Sequence, residues 1–197
     1  MNETTKQHQE LIREIVTKCL IDHPEDLSVL PREARELGKV YWTVQGHADD
    51  YRKICGSRGA HVKALTLLVE EFGDAADASY LFWLKESDEG TVRPMKIVEG
   101  RDDYDPREAA DLLTRVLCTA AGAACLKVTT YSDGSRLETP PFAMIFRFEI
   151  SADHPEVENW LLEPSEPSGL SVLSAVQTIW RAYGTKNGAS FNVVLKS

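Results

Sequence analysis

The sequence predicts an α+β protein of two tandem units, each a three-stranded sheet packed by helices on one face. Three observations predict it. Stretches with helical and strand periodicity follow one another in the same order twice along the chain. The closing helix and strand of the two halves align without a gap. Between the halves lie Gly90, Pro94, Gly100 and the carboxylates Asp102, Asp103 and Asp105, the composition of a linker. The expected boundaries are 1–87 for the first unit, 88–105 for the linker and 106–197 for the second unit.

In the first half, Leu11, Ile12, Ile15, Val16, Cys19 and Leu20 recur at the spacing of one helix face, and Asp22-His23-Pro24 breaks the pattern. Residues 27–30 and 40–44 have the character of short strands, joined by a charged connection at 31–36. One or two helical turns at 49–55 meet Gly56 and Gly59, and a second helix restarts over 60–72 with Gly73 as its stop. Residues 79–84 are apolar nearly throughout, as in a strand covered on both faces. The second half repeats the series: Pro106 opens a helix over 107–121, strands follow at 125–131 and 142–150, then a short helix at 157–162, a loop, a helix at 170–183 and a strand at 190–195. In the gapless match of the closing segments, Ala64 falls on Ala175, Phe72 on Tyr183, Gly73 on Gly184, Tyr80 on Phe191 and Lys85 on Lys196.

A hydrophobic content of 43% with 27% charged residues is that of a water-soluble globular chain, and no window approaches the roughly 18 consecutive apolar residues of a membrane span. The opening MNETTKQHQE lacks the basic flank and apolar run of a secretory signal, so a cytoplasmic location is expected. Cys19, Cys55, Cys118 and Cys125 contain no C-x-x-C pair and are expected as reduced thiols. A net charge of −9 counts against a protein that blankets a polyanion with lysine and arginine. Any nucleic acid must be gripped locally.

The place for such a grip is Gly56-Ser57-Arg58-Gly59. A helix that restarts after a four-residue turn presents the positive end of its dipole and its first N–H groups at one point, where a phosphate can rest. Glycine at both ends of the turn permits positive φ and removes side chains that would hold a ligand backbone away. Arg52, Lys53, Arg58 and Lys63 add positive charge around the turn. The run Tyr51-Arg52-Lys53-Ile54-Cys55-Gly56-Ser57-Arg58-Gly59-Ala60-His61-Val62-Lys63-Ala64-Leu65, with the preceding Asp49-Asp50, resembles the KH signature of the small bacterial single-KH-domain RNA-binding proteins. The resemblance covers residues 9–86. It implies a G-x-x-G groove for about four unpaired nucleotides, hence binding of single-stranded RNA, or of single-stranded DNA, by an RNA chaperone or regulator. Arg52, Lys53, Gly56, Ser57, Arg58, Gly59 and Lys63 are the residues it implicates; Ser57 stands where family members commonly carry lysine.

The second half has lost this signature. Glu163-Pro164-Ser165-Glu166-Pro167-Ser168-Gly169 brings two prolines, which lack N–H donors, and two carboxylates, which repel phosphate. That half is expected as a degenerate KH-like unit suited to packing, to self-association or to a protein partner. The alternative reading of the whole chain is a protein-interaction or assembly module that keeps the KH fold without strong RNA binding. No enzyme is expected, and no cofactor. His8, His23, His47, His61 and His154 show no zinc-ligand spacing, and there is no P-loop, nucleophile elbow or dinucleotide fingerprint. Asp102, Asp103 and Asp105 could hold Mg²⁺ for a nuclease, but a charged linker has the same composition. Cys55 beside the turn is expected as a small core residue rather than a thiolate.

Overall fold

The computed structural model describes residues 2–33, 39–85, 104–122, 126–132, 134–138, 143–166 and 168–196. Its first unit runs α1 (Glu3–Cys19), β1 (Ser28–Glu33), β2 (Lys39–Gln45), α2 (Ala48–Cys55), α3 (Ala60–Asp74) and β3 (Ser79–Leu84). The second runs α4 (Arg107–Ala120), β4 (Leu126–Tyr131), β5 (Met144–Ala152), α5 (Pro155–Leu162), α6 (Val172–Lys186) and β6 (Ala189–Leu195). The chain is therefore α+β, with two three-stranded mixed sheets of orders β1-β2-β3 and β4-β5-β6. In each sheet the first pair is antiparallel and the second parallel, the latter through a crossover of two helices. No helix among the described residues is long and apolar enough to cross a membrane.

Alternation along the strands sends Val29, Trp42, Val44 and Tyr80 of the first sheet, and Phe146, Phe148, Ile150, Phe191 and Val193 of the second, onto the helices. The apolar faces of α1, α3, α4 and α6 close over them, and the buried side chains of both units form one contiguous core. Helix α3 packs on α6, while α1 meets α6 and α3 meets α4, a reciprocal pattern that gives the chain an approximate two-fold arrangement. A bidentate pair ties the units together at the surface, with the Arg115 guanidinium donating to both oxygens of Glu14 at 2.7 Å. Tyr104, inside the expected linker, packs its ring at 5.7 Å from Phe146 and 5.4 Å from Phe191, so it belongs physically to the second unit.

Four local expectations change. The charged connection begins later than expected, because β1 continues through Pro31-Arg32-Glu33 in register with Trp42, Tyr41 and Val40; an edge strand tolerates a proline that cannot donate. Gly73 does not stop its helix but lies inside α3, where a Cβ would come within 2.6 Å of the Ala78 carbonyl oxygen and 2.9 Å of Tyr80. Gly184 in α6 has the matching surroundings, a Cβ there meeting the Ala189 oxygen at 2.8 Å and Phe191 at 3.0 Å. Both glycines exist because the strand returns directly against the helix. Among the described residues, strand β3 is covered on one face only, and Trp83 is 63% exposed. Finally, α6 starts at Val172, after a cap at Ser171, and not at Leu170. The expected linker carboxylates Asp102 and Asp103 lie outside the described residues.

Candidate nucleic-acid interface

Helix α2 ends where Gly56 takes φ +71°, a value that carries the chain away from the helix axis. A single 3-10 turn follows at Ser57–Gly59, with Arg58 at φ +54° and Gly59 at φ +76°, before α3 begins at Ala60. The two glycines serve different ends. A Cβ on Gly56 would lie 2.6 Å from the His61 ring and 2.8 Å from its backbone nitrogen, so that position is closed by the protein itself. A Cβ on Gly59 would meet nothing within 4 Å, so its open side faces free space. His61 fixes the turn from beneath, its Nδ1–H donating to the Lys53 carbonyl oxygen at 2.6 Å and thereby satisfying the end of α2.

No side chain caps the start of α3. Ser57, Arg58, Arg52 and Lys63 are exposed around it, and among the described residues Arg52, Arg58 and Lys63 have no ion-pair partner. Three cations thus face solvent beside an uncapped helix terminus, in a protein whose total charge is −9.

Lys53 is placed differently from the other expected cations. Its Nζ lies 2.7 Å from Asp22 and 2.8 Å from Asp50. The Asp50 side chain is wholly buried and also accepts the backbone N–H of Asp22 at 3.1 Å and of His23 at 2.9 Å, with the His23 Nδ1–H at 3.0 Å. Burial pushes the Asp50 carboxyl up, but these four donors prevail and hold it below the usual carboxylate range. For Lys53, burial acts against the charge while both carboxylates favour it, and its pKa stands above the ordinary lysine value. The His23 ring also stacks on His47, with centroids 4.4 Å apart, and His47 Nδ1 accepts the Asp49 N–H at the start of α2. Asp50 therefore pins the segment after α1 to α2, and α2 carries the turn. The acidic pair was visible in the sequence only as a flank of the motif; the donors that give Asp50 its role come from residues 27 and 28 positions earlier, a distance no local pattern reports.

The corresponding place in the second unit is shut. Before α6, the Ser165 N–H donates to the Leu170 oxygen at 2.8 Å, and the Gly169 N–H donates back to the Ser165 oxygen at 2.8 Å. Ser171 Oγ accepts the Ser174 N–H and caps α6. Carboxylates of Glu71, Glu156 and Glu163 line the adjacent groove.

The enzyme-like features stay apart. Asp105 is engaged by Arg107, at 2.5 Å from Nη2. Cys55 is a half-buried free thiol, and among the described residues no cluster of three or more histidines, cysteines or carboxylates could hold a metal. Compared with models of protein families, with curated proteins and with solved structures, the chain has no match.

Proposed function

We propose that the first unit binds single-stranded RNA in the manner of a KH domain, with the strand's backbone resting on the turn 56–59. The observation that carries this reading is the open side of Gly59 beside the uncapped start of α3, with Arg52, Arg58 and Lys63 exposed around it. A phosphate there meets the positive end of a 15-residue helix and three cations free to turn towards it. Gly56 and His61 hold the turn's shape, and Lys53 acts through Asp50 to keep α2 in place rather than by touching the ligand. The second unit supplies the other wall of the shared core. Its α6 terminus is already satisfied by Ser171, which leaves the phosphate-binding task to the first unit.

A filter-binding titration with single-stranded and duplex RNA of one length, at two salt concentrations, tests the proposal. Preference for the single strand and a salt slope of about −0.7 per phosphate contacted are expected. Ser57→Asp with Arg58→Asp keeps both glycines and should abolish binding without lowering Tm, because both side chains are exposed. Glu163→Lys with Glu166→Lys should leave the binding in place. Equal affinity for the duplex, or unaltered binding by the loop variant, sinks the assignment.

A further inference from the structure

The open face of the first sheet differs from that of the second in a way the shared fold does not require. Alternation and register place two rows on it: Leu30, Thr43 and Trp83 in one, Arg32, Tyr41 and Leu81 in the next. Trp83 is 63% exposed and Leu30 50% exposed. Lys39 begins the same face of β2, and no outward position of β1, β2 or β3 carries a carboxylate. In a chain with 31 acidic residues against 22 basic ones, a sheet face that has cations and aromatics and no acid is a marked local exception. At the matching positions the second sheet has Thr129, Glu149 and Val194, then Tyr131, Arg147 and Asn192, with Arg147 and Glu149 neutralising each other at 3.0 Å. The second face keeps one exposed ring, Tyr131, but it has no tryptophan, and a carboxylate neutralises its central cation.

The row of Leu30, Thr43 and Trp83 lies near the end of β3. Residues 75–78 reverse the chain between α3 and β3. Fifteen helical residues span about 22 Å and six strand residues about 20 Å, so β3 returns to the level at which α3 began. Trp83, near the end of β3, is therefore at the same end of the unit as the turn 56–59. Tyr41 and Trp83 are diagonal neighbours on the same face of the parallel pair β2 and β3. An exposed Trp83 with the half-buried ring of Tyr41 beside it and cations nearby is the chemistry by which single-stranded RNA is held through its bases.

We infer that the open face of the first sheet is a second contact surface for single-stranded RNA, in which Trp83 and Tyr41 stack bases beyond the nucleotides held at the turn and Arg32 and Lys39 meet their phosphates. The inference rests on the reading that the chain binds single-stranded RNA, and it lengthens the footprint of that site.

The test is a fluorescence-polarisation titration of the full chain with labelled oligouridylates of four and ten nucleotides. Trp83→Val and Thr43→Glu each copy the residue that the second sheet carries at the matching position, so both are compatible with the fold. Each should weaken the ten-nucleotide strand by about 10-fold, within the range for loss of one stacked base, and leave the four-nucleotide strand unchanged. Trp83→Phe should retain most of the binding. Unchanged ten-nucleotide binding by both Trp83→Val and Thr43→Glu overturns the inference. So does a changed sedimentation coefficient without a change in RNA affinity, which would assign the face to a protein contact. The loop variant Ser57→Asp/Arg58→Asp separates the two claims. If it loses both strands while Trp83→Val loses neither, the turn stands and the sheet face fails. If it keeps the longer strand in a Trp83-dependent way, the sheet face stands and the turn fails.

Discussion

The ammonium of Lys53 lies 2.8 Å from the carboxylate of Asp50, a side chain with no exposed surface, one turn earlier on α2. A buried carboxylate with four donors is costly to leave incomplete, because removing the charge strands the groups arranged around it. Asp50→Asn should destabilise the protein by about 3 kcal/mol in a urea titration. The pH dependence has a definite sign. Since the folded-state pKa of Asp50 is depressed, its stabilisation is complete above the unfolded carboxylate value of about 4 and is lost as pH falls through the lower folded value. Asp50→Asn should therefore flatten the part of the stability profile below about pH 4. An unchanged acid limb would show that the carboxylate is not held as described.

The two glycines of the turn should separate in their cost when changed to alanine. Gly59→Ala meets open space and carries only the penalty of a left-handed backbone, about 1–2 kcal/mol. Gly56 sits at φ +71° and ψ +172°, a region essentially confined to glycine, and a methyl group there would also clash with His61 at 2.6 Å, so the Tm of Gly56→Ala should fall further. Equal Tm values would mean that His61 moves aside freely.

Gly73→Ala and Gly184→Ala should be destabilising to a similar degree, about 1–3 kcal/mol each, because each new methyl group would press on a carbonyl oxygen at the start of the returning strand. Thermal melts of the two variants check this. A cost at one position and none at the other would break the equivalence of the two units.

Residues 2–85 and 104–196, produced as separate chains and mixed, should associate, since α3 and α6 share one core and neither covers its apolar surface alone. Analytical ultracentrifugation is the readout. Glu14→Gln should weaken the association only slightly, by up to about 1 kcal/mol, because the Arg115 partner is half exposed. Two halves that stay monomeric when mixed would contradict a shared core.

The helical cores were legible in the sequence because their apolar residues recur at the helical period: Leu11 to Cys19, Leu65 to Phe72 and Leu112 to Leu117 are buried as the spacing implies. The repeated order of elements was legible because the closing segments lack insertions. The outward face of β3 was not, for an unbroken apolar run does not reveal that one side lacks a covering layer; Leu81 and Trp83 look like core residues until the register places them opposite it. Gly73 was misjudged as a stop because a glycine near a helix end has two physical uses, and only the position of Ala78 tells them apart. Of the turn, its two positive-φ glycines and exposed Arg58 were legible, whereas the engagement of Lys53 by Asp50 depends on a loop packed from elsewhere.

The packing of α3 against α6 has a further consequence for how the protein behaves on dilution. Two separate chains that met through such helices would come apart as their concentration fell, and with them the support behind α3. One polypeptide fixes the effective concentration of the second half at a value set by the connecting segment rather than by the amount of protein present. The turn at the start of α3 is therefore backed by its neighbour at any expression level, and Tm should be the same at nanomolar and micromolar protein.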